Sequence, residues 1–195
     1  TGDYAKGSSA GGEFGGGIYA FEVASGDTAM GVQPTGGDWT PGDIILRVVN
    51  STGDTADSFT IAYDLFINNN EGRGNKFNFS MRINSGNDSA ITALDEVSTE
   101  TSQGSVVWVE FAKSVTISNT LLNGDTLYLM WHGADSTGGG SRDEFALNDI
   151  SVVMHGTATS GGGGTGLPYY PISLITTTDA NGEADSAGVE CIING

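Results

Sequence analysis

The chain has 195 residues, and its 24 acidic residues against 7 basic residues give a formal net charge of −17. A length of this order accommodates one domain of ordinary size, or one domain with an appendage. A surface this acidic repels phosphate groups, so we expect no nucleic acid and no anionic membrane surface as a partner. Because no run of 18 apolar residues occurs, the sequence also predicts no insertion into a membrane.

Short β-strands separated by turns are the main prediction from the sequence. Glycine contributes 31 residues, and the segments between the glycines are rich in Val, Ile, Thr, Phe and Tyr, a composition typical of all-β proteins. In chain order, the predicted strands cover residues 17–23, 44–50, 58–67, 76–83, 106–111, 127–132 and 146–154. No stretch has helical periodicity. The predicted fold class is therefore all-β, a jelly-roll-like antiparallel β-sandwich.

Two of these strands differ in their pattern of apolar residues. In FNFSMRI, residues 77–83, every odd position is apolar and every even position is polar, which is the period of a strand with one buried face. The segment IILRVV, residues 44–49, is apolar almost throughout. This second pattern predicts a central strand of the sheet.

A glycine-rich segment, TATSGGGGTG at residues 157–166, interrupts the strand pattern and has the composition of a flexible linker. Residues 167–195 then contain two further apolar stretches, the second of which includes the single cysteine, Cys191. Two strands do not form a stable fold by themselves. We therefore expect a β-sandwich module at residues 1–156, a linker at 157–166, and the start of a second, incomplete domain of a longer protein at 167–195.

Six segments occur in an order that resembles a known kind of module. They are GGGIYAF at 15–21, AMG at 29–31, ILRVVNSTG at 45–53, FTIAY at 59–63, LYLMW at 127–131 and FALNDISV at 145–152. In this order they resemble the non-catalytic β-sandwich module of large secreted bacterial proteins. In those proteins the module often precedes extracellular endonuclease, phosphatase or lamin-tail domains. The resemblance covers residues 14–156 and implies a module without a catalytic centre.

The tail carries a second resemblance. The segments YPISLI at 170–175 and ADSAGVEC at 184–191 look like the opening of an OB-fold-like module from the same class of proteins. In gliding bacteria such proteins typically leave the cell by type IX secretion. The resemblance therefore implies a secreted or cell-surface, extracellular location.

Five Asp-Ser or Asp-Thr dipeptides followed by a small or aliphatic residue resemble the O-glycosylation signal of the same bacteria. Their hydroxyl residues are Thr28, Thr55, Ser89, Thr126 and Ser186. All five lie in predicted turns, where a bulky sugar is tolerated. The alternative is that Asp-Thr and Asp-Ser occur there because they are good turn residues.

An aromatic residue and a polar loop are the candidates for binding a carbohydrate, because sugars bind to aromatic platforms flanked by polar side chains. Trp39 lies in the Gly- and Pro-containing segment GGDWTPG and is the tryptophan that we expect to be exposed. The loop NNNEGRGN offers amide and charged groups to sugar hydroxyls. Its candidate residues are Asn69, Asn70 and Arg73. A plain solvated hairpin loop would have the same composition.

Acidic residues around the last predicted strand of the sandwich form a candidate calcium site. The residues are Asp135, Asp143, Glu144 and Asp149. Ca²⁺, the one cofactor that we expect, takes about six to eight oxygen ligands, often from carboxylates and loop carbonyls. The spacing is not that of an EF-hand loop. The alternative is that Asp143 and Glu144 are solvated and that Asp149 bonds to the backbone.

No arrangement typical of a catalytic centre is found in the sequence. The two histidines, His132 and His155, lack a neighbouring Ser or Cys in a nucleophile motif. Assembly of His132 with Asp135 or Asp143 stays open at this point. We expect a non-enzymatic carbohydrate-binding or adhesive module of a larger secreted or cell-surface protein, with a polysaccharide or matrix polymer as its partner. The alternatives are an N-terminal accessory part of an extracellular nuclease or phosphatase, and a structural spacer without a ligand.

Overall fold

The computed structural model describes residues 5–156, 169–171 and 192–194. The chain forms two compact units, Thr1–Thr157 and Ala158–Gly195. In the second unit, β12 (Tyr169–Pro171) pairs in parallel with β13 (Ile192–Asn194). The predicted linker at 157–166 and the residues Ser186 and Cys191 lie outside the described residues. The part of the chain that the structure describes contains no helix with the length and apolarity needed to span a membrane.

The first unit is built from strands, which confirms the all-β prediction. Its strands are β1 (Ala5–Ser9), β2 (Gly17–Ala24), β3 (Asp27–Gln33), β4 (Gly42–Val49), β5 (Ser58–Asn68), β6 (Arg73–Ile83), β7 (Ser89–Ala90), β8 (Glu96–Val97), β9 (Trp108–Ile117), β10 (Thr126–Gly138) and β11 (Glu144–His155). Within residues 5–156, one turn of 3-10 helix at Thr92–Leu94 is the only helical element. The seven predicted strands all form, while β1, β3, β7 and β8 were not predicted.

The strands form two sheets with the connectivity of a jelly roll. One sheet has the order β1-β2-β3-β11-β5-β9, and the other has the order β4-β10-β6-β7, with β8 also pairing with β6. All pairs in the sandwich are antiparallel except β1 with β2. From β3 to β6, and again from β8 to β11, each connection passes from one sheet to the other. Four strands of each sheet, β3-β11-β5-β9 in one and β4-β10-β6-β8 in the other, therefore have the arrangement of a jelly roll, as the sequence predicts.

Apolar side chains from both sheets fill the space between them. Strand β6 alternates as predicted, because Phe77, Phe79 and Met81 are buried while the residues between them are partly exposed. Phe77 stacks on Phe145 of the opposite sheet, with ring centroids 5.2 Å apart. Trp131 meets the Phe79 ring edge-on at 5.3 Å. Burying aromatic and aliphatic side chains from the two facing sheets supplies the main stabilisation of such a sandwich.

The prediction that residues 44–49 form a central strand is wrong. Strand β4 lies at the edge of its sheet, where it pairs with β10. Its outward-facing side is partly apolar, and Ile45 is 55% exposed. An apolar run alone does not reveal whether a strand has one neighbour or two, because that depends on the order of strands in the sheet.

A second apolar cluster covers the outer face of the six-stranded sheet. It contains Phe21 from β2, Phe66 from β5 and Ala146 from β11. The half-buried Trp108 packs on Phe21 with ring centroids 4.9 Å apart, and its indole N–H donates to the Ala10 carbonyl at 2.9 Å. The segment before β2 thus lies over this face.

Candidate functional site

One end of the sandwich brings together residues that the sequence analysis had assigned to two separate sites. The β5–β6 loop follows Asn68, and the β10–β11 loop precedes Glu144. Because β5 pairs with β11 and β6 pairs with β10, both loops emerge at the same end, which we call the loop end. The predicted sugar-binding and metal-binding residues found there are Asn69, Asn70, Arg73, Asp135, Asp143 and Glu144.

Asp135 is bound to two arginines rather than to a metal ion. Its carboxylate accepts hydrogen bonds from Arg142 Nε at 2.6 Å and Nη2 at 3.0 Å, and from Arg73 Nη1 at 2.7 Å. The Arg142 guanidinium, together with that of Arg73, holds the pKa of Asp135 below its ordinary value against the opposing effect of burial. Both carboxylate oxygens are therefore used, and Asp135 fixes the orientation of both guanidinium groups.

Glu144 fastens the segment before β2 to the sheet. Its fully buried carboxylate accepts hydrogen bonds from the Gly12 and Glu13 amides at 2.8 and 2.7 Å and from Asn68 Nδ2 at 2.7 Å. Burial raises the pKa of Glu144, while these hydrogen bonds act in the opposite direction. Three donors on one carboxylate make it a structural tether.

Asp143, the residue before β11, is fully buried. Alternation along an extended chain puts its side chain on the side of Phe145, which faces the other sheet. Its Oδ1 accepts a hydrogen bond from the Glu71 amide at 3.0 Å. Its Oδ2 is buried and has no hydrogen-bond partner within residues 5–156. Burial raises the pKa of Asp143 to about 6.

The side chains of Asn69 and Asn70 turn inward rather than toward solvent. Asn69 Nδ2 donates to Thr99 Oγ1 at 2.9 Å, and the main-chain carbonyl of Asn70 accepts a hydrogen bond from the Ser102 hydroxyl. The side-chain oxygens of both asparagines are buried without a partner among the described residues. The β5–β6 loop is therefore neither a hairpin, since it connects the two sheets, nor an open sugar-binding surface.

Trp39 is not the exposed platform that the sequence predicts. It is half-buried and packs against the core, and its backbone has a positive φ of 59°. The indole lies on strand β10 at Gly133, where an added Cβ would come within 2.6 Å of the indole nitrogen. A glycine at that position leaves the space that the ring occupies.

Asp149 lies apart from the other predicted metal ligands. It is exposed on β11 with a φ of 48°, in a stretch where the pairing of β11 with β5 is interrupted between Asn148 and Ser151. Within residues 5–156, no group of three or more His, Cys, Asp or Glu side chains is arranged to hold a metal ion. The four acids proposed from the sequence therefore do not converge.

The histidines have partners at the surface. His132 Nδ1 lies 2.6 Å from Asp43 Oδ1 on the neighbouring strand. Its acidic partner is therefore Asp43 and neither Asp135 nor Asp143. His155 Nε2 lies 2.7 Å from Thr60 Oγ1.

A groove at the loop end was not anticipated from the sequence. It has a volume of about 300 Å³ and is lined by residues 13–14, 33–35 and 140–142. Phe14 stands on its edge with 80% of its surface exposed. Gln33 Nε2 connects two of its walls by donating to the carbonyls of Pro34 at 3.0 Å and Arg142 at 3.1 Å. The available signal was the isolated aromatic residue in GGEFGGG, which has no strand alternation to bury it.

The predicted glycosylation residues differ in accessibility. Thr28, Thr55 and Ser89 are exposed. Thr126 is buried, and its hydroxyl accepts a hydrogen bond from Arg47 Nη2 at 3.4 Å, so a sugar there would require the side chain to leave its position. The prediction that all these residues lie in turns is wrong, since Thr28, Ser89 and Thr126 belong to strands.

Comparison with known proteins gives no further assignment. No protein-family model matches the chain, and a search of curated proteins gives no match.

Proposed function

We propose that this chain is a non-catalytic carbohydrate-binding or adhesive module of a larger secreted or cell-surface protein. The observation that carries the proposal is the groove at the loop end with Phe14, an exposed aromatic ring, on its edge. A sugar ring presents an apolar C–H face that packs on an aromatic ring, while its hydroxyls need polar partners. The groove therefore has the combination of surfaces that a sugar requires.

The polar groups of the groove suit hydroxyl recognition. Ser141 offers a hydroxyl, and Glu13 and Arg142 contribute opposite charges. Arg142 is held in position by Asp135, so its orientation does not have to be fixed when a ligand binds. A volume of about 300 Å³ lies at the lower end of the range for small-molecule sites, which fits one or two sugar units of a longer polymer.

The net charge of −17 narrows the class of polymer. A strongly acidic protein repels anionic polysaccharides at moderate ionic strength. We therefore infer a neutral polysaccharide as the ligand. An extracellular location is supported by the resemblance in the sequence and by the exposure of Thr28, Thr55 and Ser89 in potential O-glycosylation signals; the type IX route follows from the resemblance alone.

The test is binding of the full chain to a panel of neutral and acidic polysaccharides by affinity electrophoresis. Phe14→Ala should weaken binding to the recognised polymer about fivefold, since loss of one stacking contact is worth about 1 kcal/mol. Phe14→Tyr should retain binding. Leu122→Ala is the matched control, because Leu122 is 53% exposed and lies just before β10, away from the loop end.

Each result has a definite meaning. Unchanged binding by Phe14→Ala would place the sugar site away from this groove. Absence of binding to every polymer in the panel would favour the structural spacer without a ligand.

A further inference from the structure

Four side-chain oxygens at the loop end are buried and have no hydrogen-bond donor within residues 5–156. They are Asn69 Oδ1, Asn70 Oδ1, Asn75 Oδ1 and Asp143 Oδ2. Asp143 is fully buried and Asn75 is 3% exposed. Buried polar atoms in proteins are nearly always paired, because leaving one unpaired costs on the order of 1–3 kcal/mol. Four unpaired acceptors in one region therefore require an explanation.

The strand pattern places three of these residues between the two sheets. Phe77 of β6 and Phe145 of β11 stack across the core. Side chains two residues apart on an extended chain point to the same side, so Asn75 and Asp143 continue the inward-facing row beyond this stack. Asn69 continues the row of Ile67, which is buried in the same core. The oxygens thus belong to the polar layer that closes the core at the loop end.

Hydrogen bonds join these residues into one cluster. Asn75 Nδ2 donates to the Asp143 carbonyl at 3.0 Å, and the Glu71 amide donates to Asp143 Oδ1 at 3.0 Å. Ser98 Oγ accepts from the Asn75 amide at 2.9 Å, and its hydroxyl also acts on the Asp143 carboxyl, whose pKa it lowers against the larger effect of burial. The next residue, Thr99, accepts from Asn69 Nδ2. Asn70 stands between Asn69 and Glu71 in the same loop.

The amide orientations explain why oxygens rather than nitrogens are left over. The NH₂ groups of Asn69 and Asn75 already donate to an oxygen of Thr99 and of Asp143. Rotating the Asn75 amide by half a turn would place its oxygen against the Asp143 carbonyl oxygen. The unpaired oxygen of Asn75 is therefore built into the cluster, whereas the Thr99 hydroxyl is able to donate to a rotated Asn69 amide.

The nearby arginines do not neutralise the cluster. The Arg142 guanidinium and Arg73 Nη1 bond to Asp135. Arg73 Nε, and Trp39 Nε1 in the cavity that Asn75 lines, are also buried without a partner, but two donors do not serve four acceptors. The carboxylates of Glu71 and Glu144 add negative potential at Asp143. A cation that takes several oxygen ligands at once would satisfy these acceptors together.

We propose that the cluster binds a calcium ion through Asp143 Oδ2 and the side-chain oxygens of Asn69, Asn70 and Asn75. Ca²⁺ accepts carboxylate and amide oxygens in irregular geometry, whereas Mg²⁺ demands an octahedron and usually keeps several waters. The remaining positions belong to main-chain carbonyls, Glu71 or water. Of the four acids that the sequence suggested as ligands, only Asp143 belongs to this site. The ion would join the two sheets where the core ends.

The first test is thermal unfolding of the full chain in calcium chloride and in chelator. Calcium that binds only the folded state should raise the midpoint by several degrees, and the rise should increase with concentration. Asp143→Asn should abolish the rise, whereas Asp149→Asn, which removes an exposed charge from β11, should keep it. An equal midpoint in both conditions for the native sequence would overturn the proposal.

A second measurement does not depend on a variant that folds. Trp39 and Asn75 line the same small cavity, so Tb³⁺ in the cluster should emit light when tryptophan is excited. Emission that saturates at one equivalent and falls when calcium is added supports the site. Emission that is absent, or that grows without saturation as on a merely acidic surface, overturns it. No sugar takes part in either test, so a negative result leaves the groove proposal standing.

Discussion

Neutralising Asp143 should change how the stability of this protein depends on pH in the absence of calcium. Burial raises the pKa of this carboxyl from its ordinary value of 3.8 to about 6 in the folded protein. The folded state therefore holds the proton more tightly than the unfolded state does. The contribution of this group to the free energy of unfolding is complete below about pH 4 and is lost as the pH rises through about 6.

The size of the effect follows from the two pKa values. A difference of about 2 units corresponds to roughly 3 kcal/mol at most. Asp143→Asn keeps an oxygen for the Glu71 amide but has no proton to lose. In chelator, the variant should therefore gain up to about 3 kcal/mol relative to the native sequence between pH 4 and pH 7.5.

Urea unfolding at several pH values in that range, followed by the fluorescence of the buried Trp131, would measure this difference. The buffer must contain chelator, so that the unpaired carboxylate is not compensated by a metal ion. Asp149→Asn controls for the change in net charge. Parallel stability curves for Asp143→Asn and the native sequence would refute the reasoning, because they would mean that Asp143 ionises equally in the folded and unfolded states.

Two further predictions concern the tether and the core. Glu144→Gln should destabilise the protein by about 1–3 kcal/mol, since an amide cannot accept all three hydrogen bonds. Amide hydrogen exchange should also become faster in the segment before β2. The control Glu22→Gln, at an exposed position, should change neither the stability nor the exchange rate. Leu129→Ala removes a fully buried side chain and should cost about 2–5 kcal/mol in urea unfolding. Leu46→Ala, at a position 36% exposed on the edge strand, should cost less than half as much, and equal costs for the two leucines would contradict the core described above.

The alternation of apolar residues was sufficient to predict the sandwich but not all of its strands. Strand β6 was predicted because Phe77, Phe79 and Met81 recur at every second position. Strand β3 has Ala29 and Gly31 at positions that face the outer cluster. Because these residues are small and only weakly hydrophobic, the buried face of β3 does not show as a row of large apolar residues in the sequence. At Gly31, an added Cβ would come within 2.3 Å of the Phe21 ring. That close approach is created by pairing with β2 and cannot be seen in β3 alone.

The candidate site could be predicted only as separate pieces. The sequence identified Asp143 and Asn69 as polar loop residues, yet it assigned one to a metal and the other to a sugar. Their proximity depends on β5 pairing with β11, two strands that are distant in the chain. Phe14 was missed because its one signal, an aromatic residue without strand alternation around it, does not reveal the groove that residues 33–35 and 140–142 form beside it. Trp39 was predicted to be exposed because nothing in its own segment reveals Gly133 on another strand.

The two adjacent carboxylates at the start of β11 have a consequence for strand registration. A slip of β11 by one residue would exchange the two faces of the strand. Asp143 would then face the main-chain amides that now donate hydrogen bonds to Glu144. The longer side chain of Glu144 would be forced between the sheets. The shorter Asp143 fits between the sheets, and the longer Glu144 reaches its hydrogen-bond donors on the outer face, so the two residues together specify the register of β11. Because β11 lies between β3 and β5, they also specify the register of both neighbouring strands relative to β11.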